Sequence, residues 1–263
     1  MGEILSTIED GVLTLRLRNG TANAMTTRMA AQLAGALSSL RGDVGAIVIA
    51  GTAGGTFCAG SDIRELTALQ GTEEGPAPML RAESQALRLL AGLPLPTLAA
   101  VDGVAYGGGM ELAAACDFVI AGGTARFCLP EIKLGVFPGI GGTVWVPRRI
   151  GYARALEMML TGQDVDAETA HRWNFVNRVV APGTAETAAG NLARSLAAGP
   201  REAVGMIKRS LRDSIEASEA EALAAALDRA IALGVSPESR EGLRAFAARV
   251  RPDFAAARAH PVD

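Results

Sequence analysis

Val12-Leu13-Thr14-Leu15-Arg16-Leu17 alternates apolar and polar side chains, the two-residue period of a half-buried strand. Residues 3–9 form a companion segment, and Asp10-Gly11 between them is a compact hairpin signal. The period then lengthens. Thr26 precedes a helical stretch to about Leu40, with apolar positions at Met29, Leu33, Ala36, Leu37 and Leu40. Ala46-Ile47-Val48-Ile49-Ala50 reads as a buried strand and is followed by a glycine-rich turn, 51–55. A helix is predicted over 79–91. It ends before Leu93-Pro94-Leu95-Pro96, which cannot lie inside a helix. Strand-length apolar runs follow at 97–101 and 118–121, with a helix from Met110 to Ala115 between them. Strands separated by helices point to repeated ββα units rather than a sandwich or a bundle, and no fixed sequence period marks a solenoid.

After Gly199-Pro200 the character changes. Residues 201–250 are almost entirely helix-forming, with one expected break at Gly234 to Pro237. This predicts an α/β core over 1–199 and a C-terminal helical region over 200–263.

Composition narrows the function classes. Hydrophobic residues make up 49%, charged residues 20% and aromatics 4%, the profile of a folded chain with a sizeable core. A net charge of −3 argues against a nucleic-acid binder. No window reaches the roughly 18 uninterrupted apolar residues of a membrane span, and no basic leader precedes an apolar stretch, so no signal peptide is predicted. Cys58, Cys116 and Cys128 form no CxxC pair, which fits a reducing cytoplasm. The two histidines, His171 and His260, show no orienting partner, and structural or solvated roles are expected for both. Acid–base chemistry would then fall to carboxylates.

Three segments carry candidate chemistry. Phe57-Cys58-Ala59-Gly60-Ser61-Asp62-Ile63 is a small-residue turn that lets a backbone N–H approach a ligand; it also reads as a tight turn capped by Ser61 or Asp62. Ala105-Tyr106-Gly107-Gly108-Gly109-Met110-Glu111 places three glycines where a strand enters a helix, exposing unpaired N–H groups at the positive end of a helix dipole. That suits an anion or a transient oxyanion, or close helix–strand packing. Leu129-Pro130-Glu131 opens a third segment that continues through Phe137-Pro138-Gly139-Ile140-Gly141-Gly142-Thr143. Glu111 and Glu131, alone, read as solvated side chains. Their apolar, glycine-rich settings suggest instead a paired acid and base.

Taken together, FCAGSDIREL (57–66), VDGVAYGGGMELAAACD (101–117) and PEIKLGVFPGIGGT (130–143) resemble the crotonase family, the enoyl-CoA hydratase/isomerase superfamily. The likeness continues through LTGQDVDAETAHRWNFVNRVV (160–180) and SREGLRAFAARVRPDF (239–254). It implies a spiral of ββα units with a C-terminal helical region for trimerisation, giving a homotrimer or a dimer of trimers. By position, Ser61 and Gly108 would supply two oxyanion-hole amides, and Glu111 and Glu131 would match the two hydratase carboxylates. Ser61 stands where the family often has alanine, and Leu129 where some hydratases carry a polar residue. Ala59, Asp62, Ile63, Arg64, Gly107 and Gly139 would contact the acyl-CoA, and Phe246 and Arg249 would reach CoA in a neighbouring subunit. No metal is implied, and coenzyme A would be part of the substrate rather than a cofactor. The implied activity is hydration of a trans-2-enoyl-CoA. The alternatives are Δ3,Δ2-enoyl-CoA isomerisation, a specialised dehydration of the carnitinyl-CoA type, or a non-catalytic acyl-CoA- or RNA-binding role.

Overall fold

The computed structural model describes residues 2–53 and 55–259. Gly54, within the predicted glycine turn, and His260 lie outside the described residues. The chain opens with β1 (Glu3–Glu9) and β2 (Val12–Arg18), an antiparallel hairpin. Its corner residues Asp10 and Gly11 both have positive φ, 49° and 73°, as a tight primed turn requires. Helix α1 (Thr27–Ser38) begins where Thr26 accepts a hydrogen bond from the Met29 N–H. Then follow β3 (Ala46–Ala50), α2 (Ile63–Gln70), α3 (Ala77–Gly92), β4 (Thr97–Val101), β5 (Val104–Tyr106) and α4 (Gly108–Ala115). The next unit comprises β6 (Phe118–Gly122), β7 (Arg126–Cys128), a 3-10 turn (Glu131–Leu134), α5 (Gly142–Ile150) and α6 (Tyr152–Thr161). β8 (Val165–Asp166), α7 (Ala167–Arg172), β9 (Arg178–Val180) and α8 (Ala185–Ala197) complete the core.

Two sheets organise these elements. The larger runs β1-β2-β3-β4-β6-β9, parallel from β2 onward, and the smaller runs β5-β7-β8. β4 passes into β5 and then α4, and β6 passes into β7 and then α5. The first step leaves the large sheet, enters the small one and returns through α4; the second visits the small sheet as β7 and again as β8 before α7 leads back to β9, and together they make the expected ββα spiral. Cys58 pairs with Ala105 through an isolated bridge, so the turn after β3 holds the corresponding place in the preceding unit.

The main core lies on one face of the large sheet, where Leu15, Leu17, Ile47, Ile49, Ala99 and Val119 meet α1, α3 and α4. The opposite face is covered by α8. Its Ala185, Ala189, Ala193 and Ala197 recur every four residues, and their small side chains set the helix against Val48, Leu98 and Ile120.

Beyond Pro200 the chain forms α9 (Arg201–Asp213), α10 (Glu219–Gly234), α11 (Pro237–Ala248) and α12 (Phe254–Ala259). The expected single break at Gly234 to Pro237 is corrected: a second lies between α9 and α10. Ser218 and Glu221 cause it by forming a reciprocal capping box that starts α10. Lys208 of α9 ties this region to the core by donating to Asp117 Oδ2 at 2.5 Å and to the Leu95 carbonyl at 2.6 Å. Among the described residues no helix is long and apolar enough to cross a membrane.

Candidate active site

The turn after β3 and the glycine segment before α4 are interlocked through backbone. Cys58 O accepts from Tyr106 N at 3.0 Å, and a β-carbon at Gly109 would sit 2.0 Å from that same Cys58 oxygen. Only glycine permits that approach. Gly60 (φ 105°) and Gly107 (φ 52°) turn the two chains in conformations that side chains disfavour. The result places Ser61 beside Gly108. A β-carbon on Gly108 would be 3.7 Å from Ser61 N and 3.6 Å from Ser61 Oγ, and one on Gly60 would be 3.5 Å from Gly108 N. Neither the Ser61 N–H nor the Gly108 N–H donates to another described residue. Gly108 is the first residue of α4, so its amide also carries the positive end of that helix. At the other end of α4, Arg149 from α5 donates to the carbonyls of Ala114 and Cys116, clamping the helix between two turns of the spiral.

Glu111 lies in the first turn of α4 and is 2% exposed. Its Oε1 accepts from Gly142 N at 2.6 Å and Ile140 N at 3.0 Å. Those bonds favour the ionised form, but burial and the neighbouring Glu131 oppose it and push the carboxyl up to about 7. Glu131 opens the 3-10 turn, half-buried, with Oε1 3.1 Å from where a Gly107 β-carbon would stand. Its Oε2 is buried with no hydrogen-bond partner among the described residues, and burial raises this carboxyl too. The site therefore sets two donor amides beside two carboxyls that hold protons more tightly than usual.

A third carboxyl was not anticipated. Glu83 is 1% exposed on the core face of α3, in line with Met79, Ala86, Leu87 and Leu90. Its Oε2 accepts from Ser61 Oγ at 2.8 Å, and its Oε1 has no partner among the described residues. Burial pushes it up to about 7. The signal was present in the sequence as one acidic residue interrupting the apolar stripe of a helix.

The remaining expected contacts fall into three groups. Asp62 caps α2, its Oδ1 accepting from Arg64 N and Glu65 N at 3.0 and 3.1 Å. Ala59, Ile63 and Arg64 are exposed on the rim of the same turn. Gly107 is buried between the amides and Glu131, whereas Gly139 lines a cavity of about 1060 Å³ between α3 and residues 135–140. Ile140 lines that cavity and donates to Glu111, so the cavity adjoins the carboxyls. Phe246, 84% exposed, and Arg249 lie on and just after α11, which packs on α10 and α12; within one chain they are not brought to this cluster.

Among the described residues, the cysteines and His171 are not arranged for nucleophilic chemistry. All three cysteines are buried and free, and burial pushes the Cys58 and Cys116 thiols up to about 12 and Cys128 to about 11. Such thiols are poor nucleophiles. His171 Nδ1 lies 2.8 Å from the Val176 carbonyl, a structural contact at the end of α7.

Comparison with known proteins shows the family. A family model described as Enoyl-CoA hydratase/isomerase matches residues 7–257. A probable enoyl-CoA hydratase of Mycobacterium leprae is 37% identical over 246 residues, covering 93% of each chain. The 1,2-epoxyphenylacetyl-CoA isomerase of Escherichia coli is 38% identical over 259 residues, covering 95% of this chain and 97% of its own. The crystal structure of an enoyl-CoA hydratase from Bacillus anthracis superposes with a TM-score of 0.91 at 28% identity, covering 96% and 99% of the two chains. With the family model spanning nearly its whole length and relatives of this identity over more than nine-tenths of it, the chain belongs to the enoyl-CoA hydratase/isomerase family.

Proposed function

We propose that this enzyme adds water reversibly to a trans-2-enoyl-CoA, giving a 3-hydroxyacyl-CoA. The observation that carries the reading is the pairing of Glu111 and Glu131 beside two adjacent amides that donate to no other described residue. A thioester conjugated to a double bond is electrophilic at Cβ because charge can move to the carbonyl oxygen. The Ser61 and Gly108 N–H groups would hold that charge, each donor supplying about 2.7–4 kcal/mol in the transition state. Glu111, with Oε1 fixed by two amides, would take a proton from the water that attacks Cβ. A carboxyl poised near neutrality is a competent base. Glu131, raised by burial and with Oε2 unpartnered among the described residues, would deliver a proton to Cα. In reverse the same groups would dehydrate the 3-hydroxyacyl-CoA.

Isomerisation of a Δ3 double bond needs one proton-shuttling carboxyl, and the presence of two favours hydration. The test is to follow loss of enoyl absorbance with crotonyl-CoA beside formation of the conjugated product from a 3-enoyl-CoA. Turnover of the second substrate without the first would refute the hydratase assignment.

The helical tail would close a homotrimer or a dimer of trimers. Leu223, Leu227 and Ile231 form a stripe on α10 that is 64%, 61% and 63% exposed in the isolated chain, and Phe246 lies nearby in sequence, on α11. An apolar stripe of this kind marks an interaction face. In that assembly Phe246 and Arg249 would meet CoA held by a neighbour, with Arg64 near its phosphates. The three free cysteines and the net charge of −3 fit an enzyme of the cytoplasm acting on a small thioester.

A further inference from the structure

The buried carboxyl of Glu83 has no part in the chemistry assigned to Glu111 and Glu131, yet it bonds the side chain of a residue whose backbone lines the same site. Ser61 Oγ is as close to Gly108 as Ser61 N is, 3.6 against 3.7 Å from the position of a Gly108 β-carbon. The hydroxyl therefore lies against the same glycine whose amide lines the site. A serine hydroxyl has one proton and two lone pairs, and the partner it meets decides which of them is left for a ligand.

We propose that Glu83 is a positioning residue that acts through Ser61. When it carries a proton, its O–H donates to Ser61 Oγ and leaves the serine O–H free to donate to the thioester oxygen as a third donor. When ionised, it accepts the serine O–H hydrogen bond, and Ser61 Oγ then turns a lone pair toward that oxygen instead. The inference rests on the oxyanion assignment above and adds a side-chain donor that switches with protonation.

The surroundings of Glu83 favour the protonated form. Its Oε1 has no donor among the described residues, and an unpartnered buried carboxylate oxygen is costly where a neutral acid is tolerated. The groups that bear on it are Glu65 of α2, Glu111 of α4 and the Cys58 thiol of the adjoining turn; the first two are acids, and none is a cation. The buried side chains of α1, which packs along α3, are Met29, Ala30, Leu33 and Leu37. Burial accordingly lifts the carboxyl to about 7, within a range where its state changes under working conditions.

The test compares wild type, Glu83→Gln, Ser61→Ala and the double variant from about pH 5.5 to about pH 9. The probe is a 3-ketoacyl-CoA, whose enolate absorbs in the near ultraviolet, so the bound enolate is read without any turnover. Hydration of crotonyl-CoA is measured in parallel. The glutamine amide donates to Ser61 Oγ at every pH, so Glu83→Gln mimics the protonated acid. The ratio of enolate bound by Glu83→Gln to that bound by wild type should rise about tenfold across the range, the effect of one hydrogen bond to a charged group. In the Ser61→Ala background the ratio should stay flat. Comparing variants at each pH cancels the ionisation of the ligand, and a loss of packing would shift all pH values alike. If Glu83→Gln does not fold, wild type against Ser61→Ala decides, because the advantage of the hydroxyl should fade as pH rises through about 7. A ratio independent of pH, or one that still rises without the Ser61 hydroxyl, overturns the proposal. Enolate binding with this signature but no hydration would remove the hydratase reading alone. Hydration with a flat ratio would remove this inference alone.

Discussion

Gly142 and Glu111 are fastened to each other: the Gly142 N–H donates to Glu111 Oε1 at 2.6 Å, and a β-carbon at 142 would stand 3.0 Å from that oxygen. The same β-carbon would lie 2.7 Å from Pro138 Cβ. Gly142→Ala must therefore displace either the loop or the carboxyl. We expect kcat to fall roughly tenfold to a hundredfold, the scale of a small misplacement of a reacting group. Overpacking should add about 1–3 kcal/mol of destabilisation. Steady-state kinetics with a thermal melt would check both, and unchanged kcat would mean that this amide does not set the position of Glu111.

Glu111→Gln and Glu131→Gln should each bind acyl-CoA close to normally while turnover drops by about 100- to 10,000-fold. Calorimetric binding of a saturated acyl-CoA, set beside hydration rates, separates the two effects. Near-normal turnover in both variants would strip the pair of its assigned roles.

Stability should depend on pH through Glu83. Its carboxyl rises from an ordinary 4.5 to about 7 on folding, so between those values the native state holds more of the proton than the unfolded chain does. Native stability is then largest below about pH 4.5 as far as this group is concerned, and it declines until pH passes about 7. Glu83→Gln removes the dependence. Relative to wild type it should gain on the order of 3 kcal/mol at about pH 8, with no such gain at about pH 4. Glu111 leaves a similar slope in both proteins, so the difference between them is the measurement. Urea denaturation at the two pH values supplies it, and a difference that ignores pH contradicts the burial argument.

Leu227→Arg introduces a charge into the exposed stripe of α10. If that stripe is covered by another subunit, sedimentation should show a shift from trimers or hexamers to smaller species, with loss of activity if Phe246 and Arg249 serve a neighbour's CoA. An unchanged sedimentation profile would move the interface elsewhere.

The strands and most helices follow from local pattern. The Asp10-Gly11 corner, the Thr26 cap and the β3 and β4 runs stand where alternation, capping chemistry and proline placed them. The break before α10 was written as Ser218 and Glu221, a capping box obscured by the helix-forming residues on both sides. The juxtaposition of Ser61 with Gly108 could not be read from local rules, since 47 positions of chain separate two glycine turns that meet only through tertiary packing. Family resemblance, not periodicity, joined them. Glu83 lies outside the matched segments, and no local rule separates this one acidic side chain on the buried face of α3 from a solvated glutamate.

The approach of Gly109 to Cys58 bears on how such an enzyme could acquire a new substrate. With backbone packed against backbone, that seam leaves no room for drift: even a methyl group would pry the two amide-bearing turns apart. Variation that reshapes the cavity between α3 and residues 135–140 would then have to come from the side chains that face it, such as Leu80, Gln85 and Phe137, rather than from this seam. One rigid joint thus divides the molecule into a part that preserves the reaction and a part free to change what is reacted.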